Sequence, residues 1–363
     1  MPGKNPTIVT GSTPATGSIC DDAAPAAAFD TDVFRTMRVT LNENHLFQAD
    51  KGWYAWRILF NIVMFVAVLL TLTNAADAID ICLSAFALAF VTVQFGFIGH
   101  DALHGQISRD PTARRWLGLI HWNLLTGLSC SWWQDKHDKH HRNTNVLGED
   151  PDLYPLLSFS HSDSLEKRGL ARFIARHQRL CFLPMMASVA AYFRLLSLDF
   201  LLRQRPSGYL LELSLLSLHY LGYFGLVFYF LAPLPAVGFI FLNYFSTGLY
   251  MGAVFSTNHL AMPLVTDSSQ ASQPHSQLGS SRNIEAGRIG DFLFGGLNYQ
   301  IEHHLFPSMP RSHLRAASKH LRLFCAQHSL PYQSCKLGSA YRVIAMALHD
   351  AGAPLRPKGK TAC

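Results

Sequence analysis

The sequence predicts an all-α integral membrane protein, with four transmembrane helices in two hairpins, interfacial helices and a cytoplasmic helical cap. Three observations carry this prediction. Of 363 residues, only 15% are charged and 49% are hydrophobic, well short of the roughly 25% charge of soluble domains. Four apolar stretches, at about 56–73, 78–98, 209–231 and 233–257, approach or exceed the about 20 residues that a helix needs to cross a bilayer. Their flanks also differ. Neither hairpin tip, "NAADAID" nor "APLP", holds a basic residue, whereas the region between the hairpins holds Arg109, Arg114, Arg115, Lys136, Lys139, Arg142, Lys167, Arg168, Arg172, Arg176 and Arg179.

Residues 1–50 are expected to be a flexible cytoplasmic tail, because small and turn-forming residues dominate the first thirty and no signal-peptide core is present. The membrane domain then runs over 51–340. Trp53, Tyr54, Trp56 and Arg57 form an interfacial belt where the first span begins. Two further apolar stretches, about 116–131 and 180–198, are shorter or interrupted and predict interfacial or re-entrant helices. The third and fourth spans meet around Pro233 and Pro235, and 341–363 is read as a C-terminal tail. Lys and Arg favour the cytoplasmic side. That places both termini and the central loop inside, in a bacterial inner membrane or the endoplasmic reticulum. The seven cysteines are scattered without a Cys-x-x-Cys pair, so neither a thiolate metal site nor a disulfide framework is indicated. The formal charge of +6 is dispersed among apolar stretches, so a nucleic-acid partner is not expected.

Histidines supply the chemistry. "HDALH" holds His100 and His104, "HDKHH" holds His137, His140 and His141, "QIEHH" holds His303 and His304 behind Gln300, and "NHLAMP" adds His259. Spacings of i,i+3 and i,i+4 put imidazoles on one helix face, one turn apart, which is a chelating arrangement. An even number of crossings separates the clusters, so all of them should emerge on one side of the membrane. Imidazole suits Fe, Zn, Cu or Ni, and eight rings over-supply a single four-coordinate zinc, making two metal ions the economical reading. Asp101, Asp138, Asp150, Asp152 and Glu302 lie in or beside the clusters as candidates to orient the rings. The other histidines, including His121, read as surface or hydrogen-bonded residues, and mid-span His219 as a neutral ring bonded to a neighbouring helix.

At these residues the chain resembles the membrane fatty acid desaturases, the non-haem di-iron family with three histidine boxes. "GFIGHDALHG", "GLSCSWWQDKHDKHHRNTN", "EDPDLYP", "NHLAMP" and "GGLNYQIEHHLFPSMPR" carry the resemblance, which covers about 51–330, and the Gln-led third box is similar to that of front-end and related acyl-lipid or acyl-CoA desaturases. The resemblance implies that His100, His104, His137, His140, His141, His259, His303 and His304 bind two irons. Gln300 stands where other members have a further histidine, and Asn283 where members often have an Asn just ahead of the third box, which makes Asn283 a candidate to reach an iron through water. O2 is implied as co-substrate and a fatty acyl chain in a lipid membrane as substrate. No His-Pro-Gly-Gly haem motif is present, so electrons are expected from a separate protein such as ferredoxin or cytochrome b5 with a reductase. Arg109, Arg114, Arg115, Arg282, Arg288 and Arg311 are candidates to hold an anionic headgroup or dock the carrier. A hydroxylase on the same scaffold is the competing enzyme, and a metal transporter the competing class.

Overall fold

The computed structural model describes residues 31–357. These residues are mostly helical, and among them five helices are long and apolar enough to cross a membrane. α1 (Thr31–Glu43) precedes the first long pair, α2 (Lys51–Thr73) and α3 (Ala78–Leu103). Carboxylates start both: Asp50 accepts from the Trp53 N–H at 3.1 Å, and Asp77 from the Ile79 and Asp80 N–H groups at 2.8 and 3.0 Å, satisfying donors that a helix start leaves free. α4 (Pro111–Gly118) runs into a π-helical turn over Leu119–Thr126, and Ser129 caps α5 (Cys130–Arg142). After α6 (His161–Glu166) come α7 (Gly169–Gln204), α8 (Tyr209–Phe230) and α9 (Pro233–His259). The remainder holds the short α10 (Pro274–Gly279), α11 (Gly287–Leu293) and α12 (Gln300–Leu305), then α13 (Leu314–Gln327) and α14 (Leu337–Ala351). Strands β1 (Asn283–Glu285) and β2 (Ser334–Lys336) pair in parallel, with Ile284 opposite Cys335.

Position in the bundle explains composition. α3 is buried along most of its C-terminal half between α2 and α9, so it is apolar on every face rather than striped. α2 and α8 present Leu59, Val63, Leu70, Leu218 and Leu221 outward, faces that lipid must cover. Two close approaches set the packing. A Cβ on Gly99 would lie 2.7 Å from the Trp122 indole nitrogen, so only glycine lets α3 lie flush on the π turn. Where α9 crosses α7, Cβ atoms on Gly248 and Gly252 would come within 2.2 Å of the Ala187 carbonyl oxygen and 2.8 Å of Met186 Cβ. Small residues four apart allow such backbone contact between apolar helices.

Several expectations are corrected. The tail assigned to 1–50 is not one beyond residue 31: α1 buries Met37 and Leu41 against Leu314 and Leu321 of α13. Residues 34, 37 and 41 keep a helical period that the charged neighbours obscure. Residues 1–30 lie outside the described chain. The boundary at 340 cuts through α14, whose Ala340, Ile344, Leu348 and Ala351 are buried. Only 358–363 of the expected C-terminal tail falls outside the described residues. The stretch 180–198 is the middle of the 36-residue α7, which keeps Pro184 inside and bends instead at His177. The missing Pro184 N–H is a cost of roughly 3 kcal/mol in an isolated helix, tolerated because α7 is packed along α9. α3 and α9 also continue past their expected ends, so His100 and His259 ride on the last turns of long helices. The five described cysteines are free, and His219 Nδ1 meets the Leu124 carbonyl oxygen at 2.8 Å.

Candidate metal centre

All eight predicted histidines converge. His100 and His104 come from the end of α3, His137, His140 and His141 from α5, His259 from the end of α9, and His303 and His304 from α12. They form two groups. His100, His104, His137 and His303 can each turn a ring nitrogen to within 4.8 Å of the others, and so can His140, His259 and His304. His141 stands between them. Its Nε2 lies 3.1 Å from the Nε2 atoms of both His137 and His303, and its ring stacks on His304 at 4.3 Å.

The outer ring nitrogens are held by the protein. His100 Nδ1 meets Asp101 Oδ1 at 3.1 Å, His140 Nδ1 meets Asp150 Oδ1 at 2.9 Å, His259 Nδ1 meets the Ser280 carbonyl oxygen at 3.0 Å, and His304 Nδ1 meets Gln277 Oε1 at 2.6 Å. An acceptor at Nδ1 fixes the tautomer and leaves the Nε2 lone pair facing inward. Asp101 is held in turn by Arg311 and by the Tyr54 hydroxyl, which donates to Oδ2 at 3.1 Å. Asp152 also approaches His140, at 3.4 Å, and is paired with the buried Lys136. Asp138 is exposed and plays no such part. Indole rings press the site from behind: Trp122 stacks on Trp133 at 4.2 Å, and Trp133 on His137 at 5.6 Å.

The residues fit metal ions. His100 Nε2 and His304 Nε2 are buried without a hydrogen-bond partner, an arrangement that costs free energy unless something binds there. His137 Nε2 faces His104 Nε2 at 2.8 Å. Two bonds of about 2.1 Å to one metal at a right angle would set ligand nitrogens about 3 Å apart. Burial first, and neighbouring imidazoles second, hold His137, His141, His303 and His304 well below the usual histidine range, so the rings are neutral at pH 7. His140 goes the other way: burial pulls it down, but Asp150 and Asp152 outweigh that and raise it.

Gln300 lies beside the second group, its amide nitrogen 2.9 Å from His259 Nε2 and its Oε1 accepting from Asn258 at 3.1 Å. Asn283 is placed differently from expectation. Its amide donates to Glu302 at 2.7 Å and to the Tyr332 hydroxyl at 2.8 Å, and its oxygen accepts from the Ile301 N–H at 3.0 Å. It braces α12 instead of facing the ring nitrogens. Glu302 is fully buried on that side, and burial, only partly offset by these hydrogen bonds, pushes its carboxyl up to about 7. Arg311 and Arg282 are interior as well: Arg311 pairs with Asp101, and Arg282 donates to the Thr257 and Leu260 carbonyls. Neither is free for a headgroup, whereas Arg115 and Arg288 are exposed. The Gln277 and Ser280 contacts have no sequence signature, because residues between α9 and α12 show no period that points them at the histidines.

Beside the second group lies a cavity of about 410 Å³. Asn145, Asp150, Asp152 and His259 form its polar end, and Phe182, Met185, Met186, Leu195 and Phe255 line much of the rest.

With that geometry in view, the sequence profile described as "Fatty acid desaturase" matches residues 77–336. The chain belongs to the fatty acid desaturase family. It is 28% identical to an acyl-lipid (9-3)-desaturase of Physcomitrium patens over 87% of this chain and 62% of that protein. Over 82% of this chain and 70% of the other it is 31% identical to a delta(6)-fatty-acid desaturase of Caenorhabditis elegans. A delta(8)-fatty-acid desaturase of Euglena gracilis is 29% identical, over 83% and 74%. The chain thus spans about three fifths of the Physcomitrium protein's length.

Proposed function

We propose that this chain is an O2-dependent fatty acyl desaturase that introduces a cis double bond into an acyl chain. The carrying observation is the largely apolar cavity whose lining includes His259 and Asp150, beside the His140, His259 and His304 group. Its volume falls within the about 300–1,000 Å³ of small-ligand sites. Two irons would be held by His100, His104, His137 and His303 on one side and His140, His259 and His304 on the other, with His141 between and Gln300 beside His259. When bound, they supply, with O2 and two electrons, the oxidising power to remove hydrogen from unactivated methylenes, chemistry beyond side-chain acids and bases. The protein's own part is placement. Asp101, Asp150, Ser280 and Gln277 fix the ring orientations, the buried Trp122–Trp133 stack limits water, and the cavity walls hold the chain so that one carbon pair lies at the polar end. Ferredoxin, cytochrome b5 or a similar protein with its reductase would deliver the electrons.

The same geometry supports four crossings. His140 precedes α7, α8 and α9, and His259 ends them, yet their ring centroids are 4.8 Å apart. An even number of crossings must separate them, so if α8 and α9 both cross, α7 lies along the interface. The basic loops support a cytoplasmic position for the site. The test is expression in a host lacking polyunsaturated fatty acids, followed by mass spectrometry of its acyl chains. Loss of two hydrogens at one position, abolished by His140→Ala, is expected. Gain of one oxygen would identify a hydroxylase, and metal flux into vesicles without acyl products a transporter.

A further inference from the structure

α7 carries a feature that metal binding and cavity shape leave unused. Arg172 and Arg176 are one turn apart, Arg179 follows just beyond the bend at His177, and all three are exposed. None makes an ion pair or a side-chain hydrogen bond among the described residues, and α7 has no acidic residue before Asp199. Apolar side chains stand beside them in the open: Phe173, Leu180 and Leu183 are each at least 60% exposed. A helix that shows arginine and bare leucine together lies at a headgroup boundary, the cations among phosphates and the apolar residues among acyl chains.

The cavity opens on this same helix. Its lining begins at Phe182, one turn beyond Arg179, and includes Ser188, Ala191 and Leu195, which are exposed at its rim on α7. Rising about 1.5 Å per residue, α7 thus carries the arginine stripe on to the exposed rim of the cavity, whose lining also includes His259. We infer that Arg172, Arg176 and Arg179 bind the phosphate of a membrane phospholipid, whose acyl chain enters the cavity sideways from the bilayer. The inference rests on the proposed function for what happens at the far end. A phosphate is also present in acyl-CoA, but a thioester carried in water would need an entrance away from the exposed leucines.

The test uses the full chain reconstituted in phosphatidylcholine vesicles containing a phosphatidylcholine with a diazirine at mid-chain. Photolysis and peptide mapping should place the label on residues 182–195, and Arg172→Gln/Arg176→Gln/Arg179→Gln should cut that labelling by on the order of a hundredfold with bound iron unchanged. Because the readout is binding, it stands whether or not a double bond forms, so failure of the desaturase reading shows separately in the product assay. Label spread evenly over the faces of α2 and α8, equal labelling of the triple variant, or labelling by diazirine acyl-CoA and not by the phospholipid would each overturn the inference.

Discussion

Asp150→Asn isolates the contribution of ring orientation to metal binding. Asp150 is buried and accepts three hydrogen bonds: His140 Nδ1 at 2.9 Å and the Asp152 N–H at 2.9 Å on Oδ1, and the Asn145 N–H at 2.8 Å on Oδ2. An asparagine of the same shape can keep its oxygen on His140 only by facing its NH2 to the Asn145 N–H, donor against donor. Leaving a buried donor unmet costs about 1–3 kcal/mol, and the charge that steadied His140 is gone. Partners of this kind typically contribute 10–100-fold in metal affinity, which is about 1.4–2.7 kcal/mol. The assay is iron per chain, measured by elemental analysis after dialysis against graded chelator. The variant should release iron at chelator concentrations 10–100-fold lower than the native protein, while Asp138→Asn, on an exposed side chain, should match it. If Asp150→Asn retained iron as the native chain does, the claim that Asp150 holds His140 in its binding orientation would be wrong.

Three other outcomes follow from the same geometry. Glu302 has its carboxyl raised from 4.5 to about 7, so the folded state binds a proton that the unfolded state has lost between those values, and native stability falls as pH rises through that window. Glu302→Gln removes this dependence, and with iron stripped from both proteins its thermal midpoint in detergent should exceed the native one at pH 8, by the equivalent of about 3 kcal/mol, with the gap largely closed at pH 5. Arg311→Met strands the buried Asp101 carboxylate at a cost of about 3–5 kcal/mol; adding Asp101→Asn should restore part of the lost thermal midpoint, and a double variant no better than the single would refute the pairing. Gly99→Val drives a side chain into Trp122 and should lower both the thermal midpoint and bound iron, whereas the same change at Gly148, where a Cβ meets nothing within 4 Å but φ is +85°, should leave iron unchanged and affect only stability.

The chelating faces are legible in the sequence because they are local: His100 with His104, and His137 with His140 and His141, need only a helical period to share a side. Asp101 and Asp150 are legible as near neighbours of the boxes. The other supports depend on tertiary structure. Gln277 and the Ser280 carbonyl reach His304 and His259 from a segment without periodic pattern, and Arg311 turns inward only because Asp101 waits in a site closed by Tyr54 and Phe97. Asn283 is a case of position without contact: it lies close ahead of the third box in sequence but braces Glu302. The termini are misread for a related reason. α1 has a narrow apolar stripe among polar and charged residues and α14 is apolar but too short to span, and their roles show only when α13 and α7 supply the opposing surfaces.

Gly248 sets α9 against the Ala187 main chain of α7, so at that crossing the gap between the two helices does not depend on the side chains that line the cavity. Residues such as Met185, Ala191 and Leu195 can therefore be exchanged for larger or smaller ones without altering the spacing of the walls or disturbing the histidine end. On the proposed desaturase reading, such single substitutions would change which acyl chains fit while leaving the histidine cluster as it is.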